Sequence, residues 1–138
     1  MKVVVDIFGG DNSPDALVKG SLDAMTEIKN LEIVMVGDSD KIKAELDKYK
    51  HDDKRIEIFD AKDVITNDDV PTMAIKTKKE SSLVKALELL DSRDDTCGLV
   101  SAGSTGAVLT GGIFKVKRLD GITRPALAPV LPTKTGGN

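Results

Sequence analysis

Apolar residues along the chain fall into two alternating patterns, short β-branched runs and stripes at helical spacing. The runs predict strands over residues 3–7, 31–37, 55–59 and 97–102, with sequences such as VVVDI and LEIVMVG. Helical stripes follow most of these runs. Strands that alternate with helices are typical of a parallel sheet covered on both faces. The pattern therefore predicts an α/β domain of three layers, α/β/α, with a mostly parallel sheet.

The predicted helices begin at residues suited to capping. Ser13 is expected to cap the first helix, with Pro14 as its first residue, and Ser81 and Ser82 are suited to cap a later one. The apolar faces comprise Leu17, Ala24, Met25 and Ile28, then Ile42, Leu46 and Tyr49, then Leu83, Ala86, Leu87 and Leu90. A last helix is predicted over residues 104–118. The polar stretch 60–79 interrupts this order.

The end of the chain predicts one more strand, over residues 126–131, which includes Pro129. Proline suits an edge or an irregular strand because it lacks a backbone N–H donor. Turn-like residues follow, with no covering helix. An α/β domain that ends in this way looks cut short. We therefore expect residues 1–138 to be the N-terminal part of one larger α/β domain.

Composition and charge narrow the classes of function. The chain carries 20 basic and 23 acidic residues, a net charge of −3 and 3% aromatic residues. Such a chain lacks the basic surface and the stacking side chains that nucleic-acid binding needs. Single residues of cysteine and histidine, Cys97 and His51, support neither a disulfide framework, a zinc site nor a nucleophile pair. We expect a cytoplasmic protein with no nucleic-acid partner and no metal.

A first glycine-rich stretch, DIFGGDNSP, follows the first predicted strand. Ligands collect at this end of the strands in open parallel sheets. Gly9 and Gly10 permit close approach of the backbone, and Asp6 and Asp11 flank them. The spacing matches neither the dinucleotide fingerprint nor the P-loop. The alternative interpretation is an ordinary glycine-rich turn in which Asp11 or Asn12 bonds to the local backbone.

A second stretch, VSAGSTGAVLTGG, predicts a strand that turns directly into a helix. Small and hydroxyl-bearing residues form the turn: Ser101, Gly103, Ser104 and Thr105. Free backbone amides and the positive end of the helix dipole make such a turn suitable for phosphate. Gly106, Gly111 and Gly112 each cost about 0.8–1 kcal/mol of helix stability relative to alanine. Close helix packing or close ligand approach must compensate for that cost.

A basic run lies between the two glycine-rich stretches. Lys76, Lys78 and Lys79 precede Ser81 in the sequence IKTKKESS. A solvated loop with a helix cap is one interpretation. The other is a basic arm over an anion or an acidic partner.

Four blocks in this order also resemble a known family. They are VDIFGGDNSPDALVKG, VPTMAIKTKKESSLVKALELL, VSAGSTGAVLTGG and RLDGITRPALAPVLPT. Together they resemble the N-terminal part of the bacterial phosphate acyltransferases of phospholipid synthesis, the PlsX family, over essentially the whole chain. The family usually has asparagine at the position of Ser104 and arginine at that of Lys76. These two differences would alter contacts with an anion.

The resemblance implies the fold of phosphotransacetylases and isocitrate-dehydrogenase-like enzymes, with a homodimer and a cleft between two halves. This chain would be the first half. The implied reaction moves a long-chain acyl group from acyl carrier protein to inorganic phosphate and gives acyl phosphate for phospholipid synthesis, with no cofactor. Peripheral contact with the cell membrane would be made by the absent half.

The resemblance also implies roles for individual residues. Phosphate is itself a nucleophile, so the protein has to hold it against a thioester and stabilise an oxyanion. The implied residues that bind phosphate or acyl phosphate are Gly9, Gly10, Ser101, Gly103, Ser104, Thr105 and Gly106. The implied catalytic residues are Asp11, Lys76 and Lys79. Asp11 would orient the first loop, and the lysines would neutralise phosphate or meet the acidic carrier protein.

Two other classes of function remain open at the level of sequence. One is a phosphotransacylase that uses acetyl- or butyryl-coenzyme A. The other is an inactive fragment or a non-catalytic binding domain, which would expose the surface that its other half covers.

Overall fold

The four strands predicted before residue 103 form one parallel sheet in the computed structural model, which describes residues 1–130. They are β1 (Lys2–Asp6), β2 (Glu32–Gly37), β3 (Ile56–Asp60) and β4 (Thr96–Ser101). The strand order is β3-β2-β1-β4, and each pairing is parallel. The sequence prediction of these strands is confirmed to within a residue at each end.

Helices follow the strands along the described chain. They are α1 (Asp15–Glu27), α2 (Ser39–Leu46), α3 (Pro71–Thr77), α4 (Ser82–Ser92) and α5 (Thr105–Gly111). A short 3-10 turn (Asp53–Arg55) precedes β3, and a π-helical turn (Gly112–Val116) continues α5. The apolar residues Leu83, Ala86 and Leu87 of α4 are buried, as their helical spacing predicts.

The helices cover both faces of the sheet. Val5 and Met35 on one face pack in a core with residues of α1 and α2. Val4 and Val34 on the other face pack with Ala86 and Leu89 of α4. Helices α3 and α5 pack against α4 in a further core cluster. The predicted three-layer α/β/α architecture is confirmed.

Two predicted helix boundaries are wrong. Ser13 does not cap α1, because its hydroxyl donates to the carbonyl oxygen of Gly10 at 2.6 Å and Pro14 occupies the cap position. The helix predicted over residues 104–118 keeps α-helical geometry only to Gly111. It then widens into the π-helical turn and ends at Lys117, whose φ is 71°. The cap predicted at Ser81 is confirmed, since its hydroxyl accepts from the amide of Val84.

Two further differences concern the irregular parts of the chain. The polar stretch 60–79 contains α3, which begins at Pro71 and buries Ala74 and Ile75. The strand predicted over residues 126–131 is wrong for its described part. Residues 126–130 are exposed and join no strand, and Leu131 lies outside the described residues.

Candidate functional site

The carboxyl ends of β1 and β4 lie side by side because these strands pair in parallel, with Asp6 in register with Ser101. The hydroxyl of Ser101 donates to Oδ2 of Asp6 at 2.8 Å. The same hydroxyl oxygen accepts from the backbone amide of Gly103 at 3.2 Å. This chain of contacts fixes the turn after β4 onto the end of β1. We call Asp6, Ser101 and Gly103 the loop junction.

The carboxylate of the loop junction is almost completely removed from water. Asp6 is 1% exposed. Burial raises the pKa of this carboxyl, since the charged form loses its hydration, and the hydroxyls of Ser82 and Ser101 act in the opposite direction. Asp6 is therefore a buried hydrogen-bond acceptor that orders the turn after β4.

Glycine is required where the two loops touch. A Cβ atom on Gly9 would lie 2.5 Å from Oδ2 of Asp6 and 2.7 Å from Oγ of Ser101. A Cβ atom on Gly103 would lie 3.2 Å from Cα of Gly9. Gly10 has a φ of +110°, a conformation that other residues rarely adopt. Both glycine-rich stretches are thus needed for the backbones of the two loops to meet.

A polar cavity of about 220 Å³ opens beside the loop junction; we call it the loop cavity. The two glycine-rich loops contribute Gly10, Asp11, Gly103 and Ser104 to its wall. Residues 64–68, which lie between β3 and α3, form the rest of the described lining together with Phe8. The cavity therefore brings together residues of both stretches that the sequence singled out.

An apolar groove of about 580 Å³ borders the same turn. Leu87, Leu99 and Val108 are among its apolar lining residues, and Ser101, Gly103 and Thr105 of the turn also line it. Gly103 lines the groove and the loop cavity alike. A polar pocket and an apolar channel thus meet at one turn of backbone.

The hydroxyls of Ser104 and Thr105, which were predicted to bind phosphate, differ from each other in their surroundings at the start of α5. Ser104 caps the helix, and its Oγ accepts from the amide of Ala107 at 3.4 Å. Thr105 is the first helical residue and is exposed to solvent. A Cβ atom on Gly106 would lie 3.0 Å from Cγ of Pro71, so this glycine allows α5 to pack closely on α3.

The predicted lysines have other surroundings. Nζ of Lys76 lies 5.6 Å from the centroid of the Phe114 ring, a cation–π contact with the π-helical turn that follows α5. Lys79 is exposed in the turn before α4. Within residues 1–130, neither lysine forms a hydrogen bond or an ion pair with the glycine-rich loops. Lys78, between them, forms an ion pair with Asp69 at 2.7 Å.

The structuring role of Asp6 and Ser101 was not predicted. The sequence offered one signal, an acidic residue within the otherwise apolar run VVVDI. Buried acidic residues are rare unless they have partners. The partner, Ser101, lies 95 residues further along the chain, and only the pairing of β1 with β4 brings the two together.

These features define an α/β domain with a candidate anion site at the carboxyl edge of a parallel sheet. The sequence model of a family described as "fatty acid synthesis protein" matches residues 1–138. The chain belongs to this family.

Relatives named phosphate acyltransferase are similar over nearly the whole chain. The protein of that name from Clostridium novyi is 48% identical over 136 residues, 99% of this chain and 41% of the relative. Those from Clostridium acetobutylicum and Bacillus pumilus are 48% and 47% identical, over 97% and 99% of this chain and 40% of each relative. The chain thus spans about 40% of the length of these relatives.

Within residues 1–130, no helix is both long enough and apolar enough to cross a membrane.

Proposed function

We propose that this chain forms part of a phosphate acyltransferase that moves a long-chain acyl group from acyl carrier protein to inorganic phosphate. The observation that carries the proposal is the meeting of the loop cavity and the apolar groove at Gly103. A polar pocket suits phosphate, and an apolar channel suits an acyl chain. The name phosphate acyltransferase, which the relatives from three bacteria carry, supports the acyl-transfer part of the proposal.

In the proposed reaction, a phosphate oxygen attacks the carbonyl carbon of the thioester. The carbon–sulfur bond then breaks, and the carrier-protein thiolate leaves and takes up a proton. The products are acyl phosphate and free carrier protein. The barrier is lowered by holding the two reactants together and by placing backbone amides near the developing oxyanion. The backbone at Ser104 and Thr105, where α5 begins, is the proposed source of those amides, because the Gly103 amide already donates to Ser101.

The remaining residues have supporting roles in this proposal. The Thr105 hydroxyl is exposed at the start of α5 and lines the apolar groove, so it is proposed to donate to phosphate where the groove meets the loop cavity. The loop junction keeps Gly9 and Gly10 in place, and Asp11 faces the bound anion. Lys76 and Lys79 lie on the outer surface of the domain, where they would attract the acidic carrier protein rather than contact phosphate. A second copy of the protein is proposed to complete a homodimer.

The test uses a chimera in which this chain replaces the matching 41% of the Clostridium novyi phosphate acyltransferase. Thr105→Ala is expected to raise the KM for phosphate about tenfold, the effect of losing a hydrogen bond to a charged group. Thr26→Ala is the matched control, because the Thr26 hydroxyl bonds to the carbonyl of Leu22 on the exposed side of α1. The control is expected to leave the kinetics unchanged.

An unchanged KM and kcat in the Thr105→Ala chimera would remove Thr105 from the site. Consumption of acetyl- or butyryl-coenzyme A in preference to acyl carrier protein would favour the phosphotransacylase alternative. A folded chimera that consumes neither thioester would favour a binding domain without catalytic activity.

A further inference from the structure

Residues 64–68 lie against the loop cavity although no motif marks them. Thr66, Asn67 and Asp68 line the cavity opposite Gly103 and Ser104. They belong to the polar stretch between β3 and α3 and come from neither glycine-rich loop. The cavity thus has a third wall.

This third wall is held in place by side chains of its own. Nζ of Lys78 donates to the carbonyl oxygen of Val64 at 2.9 Å and to the carboxylate of Asp69 at 2.7 Å. The same Asp69 oxygen accepts from the amide of Thr66 at 2.8 Å and from its hydroxyl at 3.1 Å. Lys78 therefore ties both ends of the segment together and sets where residues 66–68 lie.

The neighbouring residues anchor the segment in the fold. Ile65 is 6% exposed and packs in the core between α3, α4 and α5. The carbonyl oxygen of Asp63 accepts from the amide of Ser82 at 2.9 Å. The wall is thus fixed before any ligand is present, which lowers the entropy cost of binding.

The charges that face the loop cavity restrict the anion it can hold. Asp11 and Asp68 are among the lining residues, and within residues 1–130 no lysine or arginine lines the cavity. An ionised carboxylate can only accept hydrogen bonds. Inorganic phosphate at neutral pH retains at least one proton and can donate it to such an acceptor. Sulfate retains no proton and cannot donate such a bond.

We infer that residues 66–68 form a third wall of the phosphate site, in which Asp68 accepts a hydrogen bond from protonated phosphate and Lys78 positions the wall. The inference rests on the proposed function, since it specifies how the same cavity selects its anion. Asp68 is then a specificity-determining residue, and Lys78 is a positioning residue.

The test is calorimetric titration of the 138-residue chain with inorganic phosphate and, separately, with sodium sulfate. The wild-type chain is expected to bind phosphate at least about tenfold more tightly than sulfate, the scale of one charge-assisted hydrogen bond. Asp68→Asn is expected to reduce this ratio to within about threefold, because an amide can donate to either anion. Asp68 is exposed, so the variant is expected to fold.

The positioning role is tested with a pair of variants and a control. Lys78→Met is expected to weaken phosphate binding about tenfold, and Lys78→Arg, which keeps the charge and donors, to restore most of it. Lys85→Met is the control, since Lys85 is similarly covered and pairs with Glu80 at 2.9 Å outside the cavity lining. Thermal unfolding midpoints separate loss of binding from loss of fold.

The outcomes separate the two claims. A wild-type chain that binds neither anion overturns the phosphate site and the third wall together. If the wild-type chain binds phosphate and sulfate with equal affinity, the third wall is overturned and the phosphate site remains. The same conclusion follows if the preference for phosphate is unchanged in Asp68→Asn. Equal binding by Lys78→Met and Lys85→Met overturns the role of Lys78.

Discussion

Replacing Gly9 by alanine should break the loop junction directly. The added Cβ would lie 2.5 Å from the Asp6 carboxylate, 2.7 Å from the Ser101 hydroxyl and 3.0 Å from the Gly103 amide nitrogen. Overpacking of this kind costs about 1–3 kcal/mol, and each of two lost hydrogen bonds about 0.5–1.5 kcal/mol. The expected loss is therefore about 2–6 kcal/mol, a large part of the about 5–15 kcal/mol that stabilises a typical domain.

The matched control is Gly20→Ala. Gly20 lies inside α1, and a Cβ there would meet no atom within 4 Å. Alanine should stabilise this helix by about 0.5–1 kcal/mol. Urea unfolding followed by circular dichroism measures both variants, because the chain has no tryptophan to report by fluorescence. A Gly9→Ala chain as stable as Gly20→Ala would refute the proposed packing of the loops.

Three further predictions concern charge and binding. Arg93 donates two hydrogen bonds to the Glu57 carboxylate, at 2.8 and 2.6 Å, and these hold the pKa of Glu57 below 4.5. The pair stabilises the fold above pH 4.5, and this stabilisation is lost as the pH falls through the lowered pKa of Glu57. The free energy of unfolding of Arg93→Met should therefore fall less steeply with decreasing pH than that of the wild type. Burial raises the pKa of Asp6 above its ordinary value of 3.8. The contribution of Asp6 to the stability of the fold is therefore fully present below pH 3.8, and it is lost as the pH rises and the buried carboxyl ionises. Relative to wild type, Asp6→Asn should therefore become more stable as the pH rises above 3.8, measured by urea unfolding. Ser101→Ala should weaken phosphate binding through the loosened turn, measured by the same titration as above.

The sheet could be predicted from sequence because its signal is local. Runs such as VVVDI and LEIVMVG contain little except β-branched and apolar residues, which leaves few other structures open to them. Helix α3 was missed for the opposite reason. It has seven residues, and only Ala74 and Ile75 are buried, which is too short a stripe for periodicity to detect.

The errors near the C-terminal end have a tertiary cause. Residues 126–130 are all apolar, yet they are exposed and have no neighbouring strand among the described residues. A strand needs a partner for its backbone groups, and sequence does not supply one. The last helix was predicted too long because Lys117 adopts a positive φ, which nothing in its side chain signals.

The candidate site could be predicted only in outline. The rule that ligands collect at the carboxyl ends of parallel strands selected both glycine-rich stretches, and the structure brings them together at the ends of β1 and β4. The loop junction needs the register of Asp6 with Ser101, and the third wall needs the ion pair of Lys78 with Asp69. The first contact joins residues 95 apart, and the second joins residues only nine apart in a stretch without helical or strand periodicity, so neither is visible as a local pattern.

The central claim is that the turn at Gly103 holds phosphate for attack on an acyl thioester. Its most direct test is the release of carrier-protein thiol from a long-chain acyl carrier protein by the Clostridium novyi chimera, with phosphate as the varied reactant. Our account predicts release that saturates with phosphate, accompanied by equimolar acyl phosphate. Release that is independent of phosphate, or none from a folded chimera, would contradict it.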